Sequence, residues 1–274
     1  MTRPLVRVVT INILCDLSRW AKRRSLLVQG LAELQPDLIA LQEVVLSSWG
    51  NTAQWRADQL TRRDDPLGRP YAVYLCPKTG DENHTEAIAI LSRLPVHNTA
   101  TLDLRSQNRV AQIVKVTAAG CPLVVASGHL FWGPGEAAER VQQVQRLLDW
   151  LAEVAGDAAI VACGDFNGTP ESAAIRLMRE GLASAHAARH GREPEYTCPT
   201  PLPHGGPVRA LRHFIRNLLT AHTLRPWRGT LDYIFVSERV RVIDCAVVLN
   251  RPAPHDPKLY PSDHFGLAAT LQLD

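Results

Sequence analysis

Hydrophobic positions along the chain fall into two patterns, short apolar runs and longer segments in which apolar residues recur every three or four positions. The short runs are rich in Val, Ile and Leu, and they predict buried strands because such strands need no polar face. The periodic segments predict amphipathic helices. The strongest helical pattern covers 136–154, where Val141, Val144, Leu148 and Leu151 share one face.

The predicted elements follow one another from the first residues to the last. The predicted strands cover 6–14, 38–44, 71–75, 87–91, 96–102, 110–116, 123–127, 158–163, 231–236, 240–249 and 265–271, and the predicted helices cover 20–34, 48–61, 136–154 and 171–179. Helices separate the strands too rarely for a strict alternation of strand and helix. The order favours an α/β fold with two mixed sheets and helices outside them. Because no linker or repeat divides the chain, one domain over 1–274 is predicted.

Composition narrows the class of protein. The chain has 274 residues, 46% of them hydrophobic and 21% charged, as in ordinary globular domains. No apolar run approaches the roughly 18 residues of a membrane span, and the N-terminus lacks the pattern of a signal peptide. The six cysteines form no CxxC pair, which predicts reduced, mostly buried thiols rather than a zinc or redox motif. We therefore expect a cytoplasmic protein without stable membrane insertion.

Positive charge is concentrated in one segment, although the net charge of +3 is too small to indicate a nucleic-acid partner by itself. Residues 196–231 contain no Asp or Glu. Apolar residues there recur at helical spacing, and Arg209, Arg212 and Arg216 lie on a separate face. The pattern predicts a basic amphipathic helix that binds a polyanionic substrate or, equally, a solvated surface helix.

Polar side chains capable of chemistry stand at the ends of predicted strands, and side chains at the strand ends of a sandwich can converge on one site. The set is Asn12, Glu43, His129, Asp165, Asn167, Asp232, Asp263 and His264. Glu43 offers the hard oxygen ligand that Mg²⁺ prefers, whereas no His or Cys spacing suits zinc. Two histidines with an acid and an amide suit attack by water on a phosphoryl centre. Asp232 suits the orientation of an imidazole.

Each of these residues also has a purely structural interpretation when it is taken alone. A single acid at a strand end, such as Glu43, is usually solvated or caps the chain. His129 fits a hydrogen-bonded loop histidine, and Asp165 with Asn167 fits a local turn. Their order and spacing as a set favour the chemical interpretation.

The motifs also resemble a known family. Asn12, QE at 42–43, HL at 129–130, GDFN at 164–167, LDY at 231–233 and SDH at 262–264 occur in one order over nearly the whole chain. This set is similar to that of the endonuclease/exonuclease/phosphatase superfamily, whose fold is called DNase-I-like. The resemblance implies a four-layer α/β sandwich with two mixed sheets packed face to face, and a phosphoesterase that depends on Mg²⁺ or Mn²⁺.

The resemblance also implies roles for single residues. Glu43 would bind the metal, with Asn12 close to metal and substrate and Asp263 as a second acid on the metal side. Asp165 would orient or deprotonate the attacking water, and His264 is the second candidate for the base. Contacts with the scissile phosphate would come from His129, Asn167 and His264, with His264 oriented by Asp232. Glu86 stands where family members carry an acid that pairs with the first histidine.

Finer similarities point to a substrate class. GDFNGTPESAAIRLM and YPSDHFGLAATLQL resemble the deadenylase-type branch, whereas TEAIAILSRLPV looks more like bacterial hydrolases and sphingomyelinases. The prediction is a metal-dependent phosphodiesterase acting on nucleic acid or nucleotides, with Arg209, Arg212 and Arg216 selecting the substrate. A small-molecule or lipid-headgroup phosphoesterase is the first alternative. A catalytically silent binding module of the same fold is the second.

Overall fold

A computed structural model describes residues 5–48, 50–62, 70–80, 85–118, 120–133, 135–203 and 227–273. The basic segment with Arg209, Arg212 and Arg216 lies outside the described residues. The strands are β1 (Leu5–Asn12), β2 (Leu38–Ser47), β3 (Gly50–Asn51), β4 (Ala72–Pro77), β5 (Glu86–Ser92), β6 (Val96–Asp103), β7 (Val110–Ala118), β8 (Cys121–His129), β9 (Ala159–Asp165), β10 (Ala183–Ser184), β11 (Asp232–Val236), β12 (Val240–Val248) and β13 (Gly266–Leu273). The helices are α1 (Trp20–Leu34), α2 (Thr52–Arg62), α3 (Ala138–Ala155), α4 (Ala173–Gly181) and α5 (Ala185–His190).

Helix starts differ from the sequence prediction where a polar side chain caps the first turn. The helix predicted at 48–61 begins at Thr52, because Asn51 Oδ1 accepts the backbone N–H of Gln54 at 2.7 Å. The helix predicted at 171–179 begins after Ser172, whose hydroxyl accepts from the N–H of Ile175. Helix α5 was not predicted, because six residues are too few to show a helical period. Helix α1 matches its predicted bounds.

The described strands form two mixed sheets, as the sequence predicts. One sheet has the order β12-β13-β1-β2-β5-β4, with β3 beside β2, and the other has the order β10-β11-β9-β8-β7-β6. The pairs β1–β2 and β8–β9 are parallel, and the other strand pairs are antiparallel. Both parallel pairs lie near the centres of their sheets, where they are covered on both faces.

Hydrophobic side chains divide the molecule into four layers. Val8 and Leu38 of the first sheet pack against residues such as Val125 and Val161 of the second. Helices α1 and α2 cover the other face of the first sheet, and helices α3 and α4 cover the other face of the second. Burial of each large aliphatic side chain contributes roughly 1.5–3 kcal/mol. The α/β sandwich expected from the sequence is thereby confirmed. None of the described helices combines the length and the apolar character needed to cross a membrane.

Strand direction brings the polar strand ends together. The parallel strands β1 and β2 end side by side, with Asn12 opposite Gln42. The parallel strands β8 and β9 do the same, with His129 opposite Asp165. Strand β11 runs antiparallel to β9, so its first residue, Asp232, also lies opposite Asp165. One end of both sheets therefore collects side chains from distant parts of the sequence.

Candidate active site

A β-bulge turns Glu43 toward this end of the sheets. The pairing of β2 with β5 slips between Leu41 and Val44, and Glu43 has a φ of 57°, in the left-handed region that non-glycine residues seldom adopt. Such a bulge redirects one side chain without ending the strand. Beneath it, Gln42 of the first sheet donates to Ser127 Oγ of the second at 3.2 Å, which ties the two sheets together under the site.

Asn12 connects two carboxylates. Its Nδ2 lies 3.1 Å from Glu43 Oε1 and 3.0 Å from Asp165 Oδ2, so one amide group donates to both. The other Glu43 oxygen accepts the backbone N–H of Cys15 at 2.9 Å. Burial alone would raise the pKa of Glu43, but the hydrogen bonds from Cys15 and Asn12 and the charge of His264 outweigh it and lower that pKa. The Glu43 carboxylate is therefore ionised at neutral pH.

Asp263 joins this side of the site through its neighbour Ser262. The Ser262 hydroxyl lies 2.7 Å from the carbonyl oxygen of Asn12 and 3.2 Å from Asp263 Oδ1. The structure thus brings Asn12 and Glu43 into direct contact and places Asp263 next to them.

Asp165 lies at the centre of the site and is held by its own loop. Its Oδ1 accepts the backbone N–H of Asn167 at 3.0 Å, and the Asn167 side chain donates to Leu130 O at 3.1 Å. Gly164 precedes Asp165 with a φ of 136°, and a Cβ at that position would overlap the backbone of Gly128 on β8. Burial raises the pKa of Asp165 to about 7, against the opposing charge of His264.

Asp232 and His264 form a buried pair. His264 Nδ1 lies 2.8 Å from Asp232 Oδ2, and that oxygen also accepts from the Thr197 hydroxyl at 2.6 Å. Burial alone would lower the pKa of His264, but the charge of Asp232 outweighs it and raises that pKa well above its usual value. His264 is therefore an imidazolium, and its other nitrogen, Nε2, lies 3.9 Å from Asp165 Oδ2.

His129 faces Asp165 from the other side, with Nε2 at 3.5 Å from Asp165 Oδ2. The partner expected for its other nitrogen was Glu86, but Glu86 Oε1 is 3.9 Å from Nδ1, too far for a hydrogen bond. Arg109 lies between them, and its Nη1 is 2.8 Å from His129 Nδ1. Glu86 thus lies near the imidazole at ion-pair distance, while the guanidinium of Arg109, just before β7, makes the hydrogen bond. Burial and the charge of Arg109 lower the pKa of His129 well below its usual value.

Two groups of side chains in the described structure offer metal ligands. Asp165, Asp232 and His264 have ligand atoms within 4.8 Å of one another, which differs from the predicted set of Glu43, Asn12 and Asp263. Within this first group, Asp232 Oδ2 is already engaged by His264 Nδ1 at 2.8 Å and by the Thr197 hydroxyl at 2.6 Å. Glu43 provides the carboxylate oxygens that Mg²⁺ and Mn²⁺ prefer, whereas Asn12 turns its amide nitrogen toward Glu43 and its Oδ1 accepts the backbone N–H of Leu14 at 3.1 Å.

The family comparison agrees with this geometry. The family model described as "Endonuclease/Exonuclease/phosphatase family" matches residues 9–264. The chain belongs to this family. Endonucleases, exonucleases and phosphatases all hydrolyse phosphoester bonds. The acids, the amide and the imidazoles of the site suit this chemistry.

Several relatives of this endonuclease/exonuclease/phosphatase chain are similar over most of its length. Human Nocturnin is 24% identical over 303 residues, covering 97% of this chain and 65% of the relative. Mouse "2',5'-phosphodiesterase 12" is 24% identical over 205 residues, 70% of this chain, but this chain spans only 33% of the mouse protein's length. The match to Drosophila Nocturnin covers 42% of that protein's length.

Solved structures share the fold. The human Nocturnin catalytic domain with bound sulfate anion superposes with a TM-score of 0.72 at 22% identity, covering 100% of this chain and 96% of that one. D. rerio TDP2 complexed with single strand DNA product gives a TM-score of 0.72 at 20% identity, covering 98% and 99%. At these identities the likeness establishes the DNase-I-like fold.

Buried polar residues around this family's site were missed from the sequence. Arg23 donates from α1 to the backbone carbonyls of Ile13, Leu14, Asp16 and Pro261 at 2.7–3.2 Å, and so fixes the loop after β1. Arg109 and Thr197 were also missed. Each contacts a predicted site residue far away in sequence, so no local pattern marks it.

Arg140, in the first turn of α3, also anchors a loop near the site. Arg140 donates to the carbonyls of Phe131, Gly133 and Gly135 at 2.5–3.2 Å, and Gln143 accepts the N–H of Phe131 at 2.7 Å. The loop that follows His129 is thus anchored to a helix.

The cysteines are all free thiols, and three of the six are buried. Cys15 is exposed beside Glu43, and Cys121 and Cys198 are half-buried.

Proposed function

We propose that this chain is a divalent-metal-dependent phosphodiesterase that hydrolyses nucleic acid or nucleotide phosphodiesters by direct attack of water. One observation carries the proposal: Asp165 lies within hydrogen-bonding or near-contact distance of an amide and two imidazoles, at 3.0, 3.5 and 3.9 Å. Such a constellation brings a base and anion-binding groups to one point, and Asn12 connects that point to the Glu43 carboxylate.

Glu43 would hold the metal, with Asn12 beside it. Glu43 is ionised, and each of its oxygens accepts one hydrogen bond while retaining a lone pair for a cation. A bound Mg²⁺ or Mn²⁺ would polarise the phosphoryl oxygen and offset the charge that develops on it.

The protonation states of Asp165 and His264 suit them to different roles, one as proton acceptor and the other as hydrogen-bond donor. Asp165, with a pKa of about 7, is ionised in a substantial fraction of molecules at neutral pH and can accept a proton from water. The pairing with Asp232 raises the pKa of His264 well above its usual value, which favours the protonated form over a base at neutral pH. It would instead donate a charged hydrogen bond to the phosphate. Of the two bases considered from the sequence, we propose Asp165.

A side chain shortly before Asp232 supports a substrate larger than a phosphate. The guanidinium of Arg228 stacks over the ring of Tyr196 at 4.8 Å. A guanidinium held in this way offers a preorganised contact for a further phosphate.

Two exposed tryptophans add surfaces on which a nucleobase can stack. Trp132 is 58% exposed on the anchored loop after His129, and Trp227 is 40% exposed near the start of β11. Base–aromatic stacking contributes about 1–3 kcal/mol per base. The relative named 2',5'-phosphodiesterase 12 and the TDP2 complex with single strand DNA product point to the same substrate class.

A substrate panel tests the proposal. Purified protein with Mg²⁺ or Mn²⁺ is assayed on single-stranded RNA, single- and double-stranded DNA, nucleotide phosphodiesters, sphingomyelin and a minimal chromogenic phosphodiester. The proposal expects turnover of at least one nucleic acid or nucleotide and its loss with EDTA. Turnover of sphingomyelin alone would favour the lipid-headgroup alternative, and binding of oligonucleotide without turnover of any substrate would favour the silent binding module.

The basic segment provides a further prediction about the substrate. Changing Arg209, Arg212 and Arg216 together to Gln should raise KM for an oligonucleotide and flatten its salt dependence, by a slope of about 0.7 per lost phosphate contact. Hydrolysis of the chromogenic diester should not change. Equal loss on both substrates would assign the segment a structural role, and no loss on either would make it a solvated face.

A further inference from the structure

We infer that Arg109 is a positioning residue that holds His129 neutral and in the tautomer with the proton on Nε2, so that His129 is a hydrogen-bond donor to the phosphate and not a base. This inference deepens the proposed function, since it assigns one residue of that site its role. The tautomer is measured without substrate, so the inference about Arg109 is tested independently of the proposed phosphodiesterase activity.

The chemistry of the guanidinium fixes the direction of the hydrogen bond. Arg109 Nη1 lies 2.8 Å from His129 Nδ1, and both side chains are buried, at 6% and 3% exposure. A guanidinium has five N–H donors and no lone pair, so it cannot accept from the imidazole. Nδ1 must therefore be the acceptor, and in a neutral ring the proton is then on Nε2.

The groups around His129 agree with this assignment at both nitrogens. Nε2 faces the Asp165 carboxylate at 3.5 Å, which suits an N–H and would repel a lone pair. A second proton on Nδ1 would face the N–H of Arg109, and the positive charges of Arg109, Lys78 and His264 also lower the pKa of His129.

The Glu86 carboxylate pairs with another cation, so Arg109 is the hydrogen-bond partner of His129 Nδ1. Its Oε2 pairs with Lys78 Nζ at 2.5 Å, and its Oε1 lies 3.7 Å from Arg109 Nη1 and 3.9 Å from His129 Nδ1. A carboxylate next to Nδ1 would accept a hydrogen bond from Nδ1–H. In that tautomer Nε2 would carry the lone pair. Arg109 reverses that pattern, so Nε2 presents a donor to the centre of the site.

Nuclear magnetic resonance on protein labelled with ¹⁵N and ¹³C histidine measures the tautomer directly. The His129 signal is assigned by its absence in His129→Gln, and the ¹⁵N shifts distinguish a protonated from an unprotonated ring nitrogen. At neutral pH and without metal we expect a protonated Nε2 and an unprotonated Nδ1. A protonated Nδ1, alone or together with Nε2, would overturn the inference.

Variants at position 109 test the cause. Arg109→Met removes the donor, so Nδ1–H should turn to Glu86 and the tautomer should shift toward protonated Nδ1. Arg109→Lys keeps a cationic donor and should keep the wild-type tautomer, and Arg105→Met is the matched control on the same loop, where Arg105 is exposed. An unchanged tautomer in a folded Arg109→Met would contradict the inference. If that variant fails to fold, the wild-type and Arg109→Lys spectra decide.

Kinetics provide a second readout. Arg109→Met should lower kcat by about 10- to 100-fold, as outer-shell substitutions commonly do, with KM nearly unchanged. Arg109→Lys should recover much of that loss. A change in KM alone would mean that Arg109 contacts substrate directly, and the positioning role would be wrong.

Discussion

Asp232→Asn removes the negative charge that pairs with His264 and leaves the shape of the side chain intact. In the wild type the carboxylate is fully buried and its Oδ2 accepts from His264 Nδ1 at 2.8 Å. An imidazolium left there without a counter-charge would be costly, and breaking a buried pair by removing one partner costs about 3–5 kcal/mol. The imidazole can escape most of that cost by losing its proton, so the loss of stability must depend on pH.

The direction of the pH dependence follows from the raised pKa of His264. The folded protein holds this proton more tightly than the unfolded chain does. The stability that the pair contributes is therefore complete below the usual histidine pKa of 6.5 and is lost as pH rises through the folded value. We expect Asp232→Asn to lower the free energy of unfolding by about 3 kcal/mol at pH 6 and by less at pH 9, where more of the wild-type imidazole has lost its proton.

Urea denaturation of metal-free protein at both pH values measures this difference. Asp244→Asn is the matched control, because Asp244 is an acid 61% exposed at the surface and its ion pair with Arg189 spans 3.6 Å. That control should change stability by less than about 1 kcal/mol at either pH. An equal loss for Asp232→Asn at pH 6 and pH 9 would refute the assignment of His264 as a buried imidazolium.

Three further predictions concern residues around the same site. If Asp165 is the base, kcat/KM should fall as pH drops below about 7, because protonation removes the acceptor; a pH–rate profile that stays flat to pH 5 would exclude it. Gly164→Ala should destabilise the fold by about 2 kcal/mol or more in denaturant titration, because its φ of 136° and the close β8 backbone leave no room for a Cβ. Arg23→Met should lower the melting temperature and kcat together, since four carbonyls near the site lose their donor; activity retained in a folded variant would show that this loop is positioned by other contacts.

Local patterns account for the parts of the fold that the sequence could predict. Helix α1 was predicted to its last residue because Leu27 and Leu31 mark one apolar face. Arg23 belongs to the same buried side of that helix, although a charged residue in an amphipathic pattern indicates solvent. Its burial depends on carbonyls of two loops, which helical periodicity does not report.

In the candidate site, too, some features follow from local sequence patterns and others depend on tertiary contacts. The order of the motifs predicted which polar residues would meet, because they end or begin strands. The bulge that turns Glu43 inward depends on pairing with β5, and the place of Arg109 between Glu86 and His129 depends on the sheet that β7 joins. Both features arise from contacts between segments distant in sequence, so residue spacing does not reveal them.

Water, aided by a divalent ion at Glu43, is the proposed nucleophile at the phosphorus of a phosphodiester. Hydrolysis of a single-stranded oligonucleotide in H₂¹⁸O, followed by mass spectrometry of the product phosphate, tests it for the wild type, Glu43→Gln and the exposed control Glu139→Gln. We expect one ¹⁸O in each cleaved phosphate for the wild type and Glu139→Gln. We also expect loss of cleavage with EDTA or in Glu43→Gln. Cleavage at the wild-type rate by Glu43→Gln or under full chelation, or a product without ¹⁸O, would contradict this mechanism.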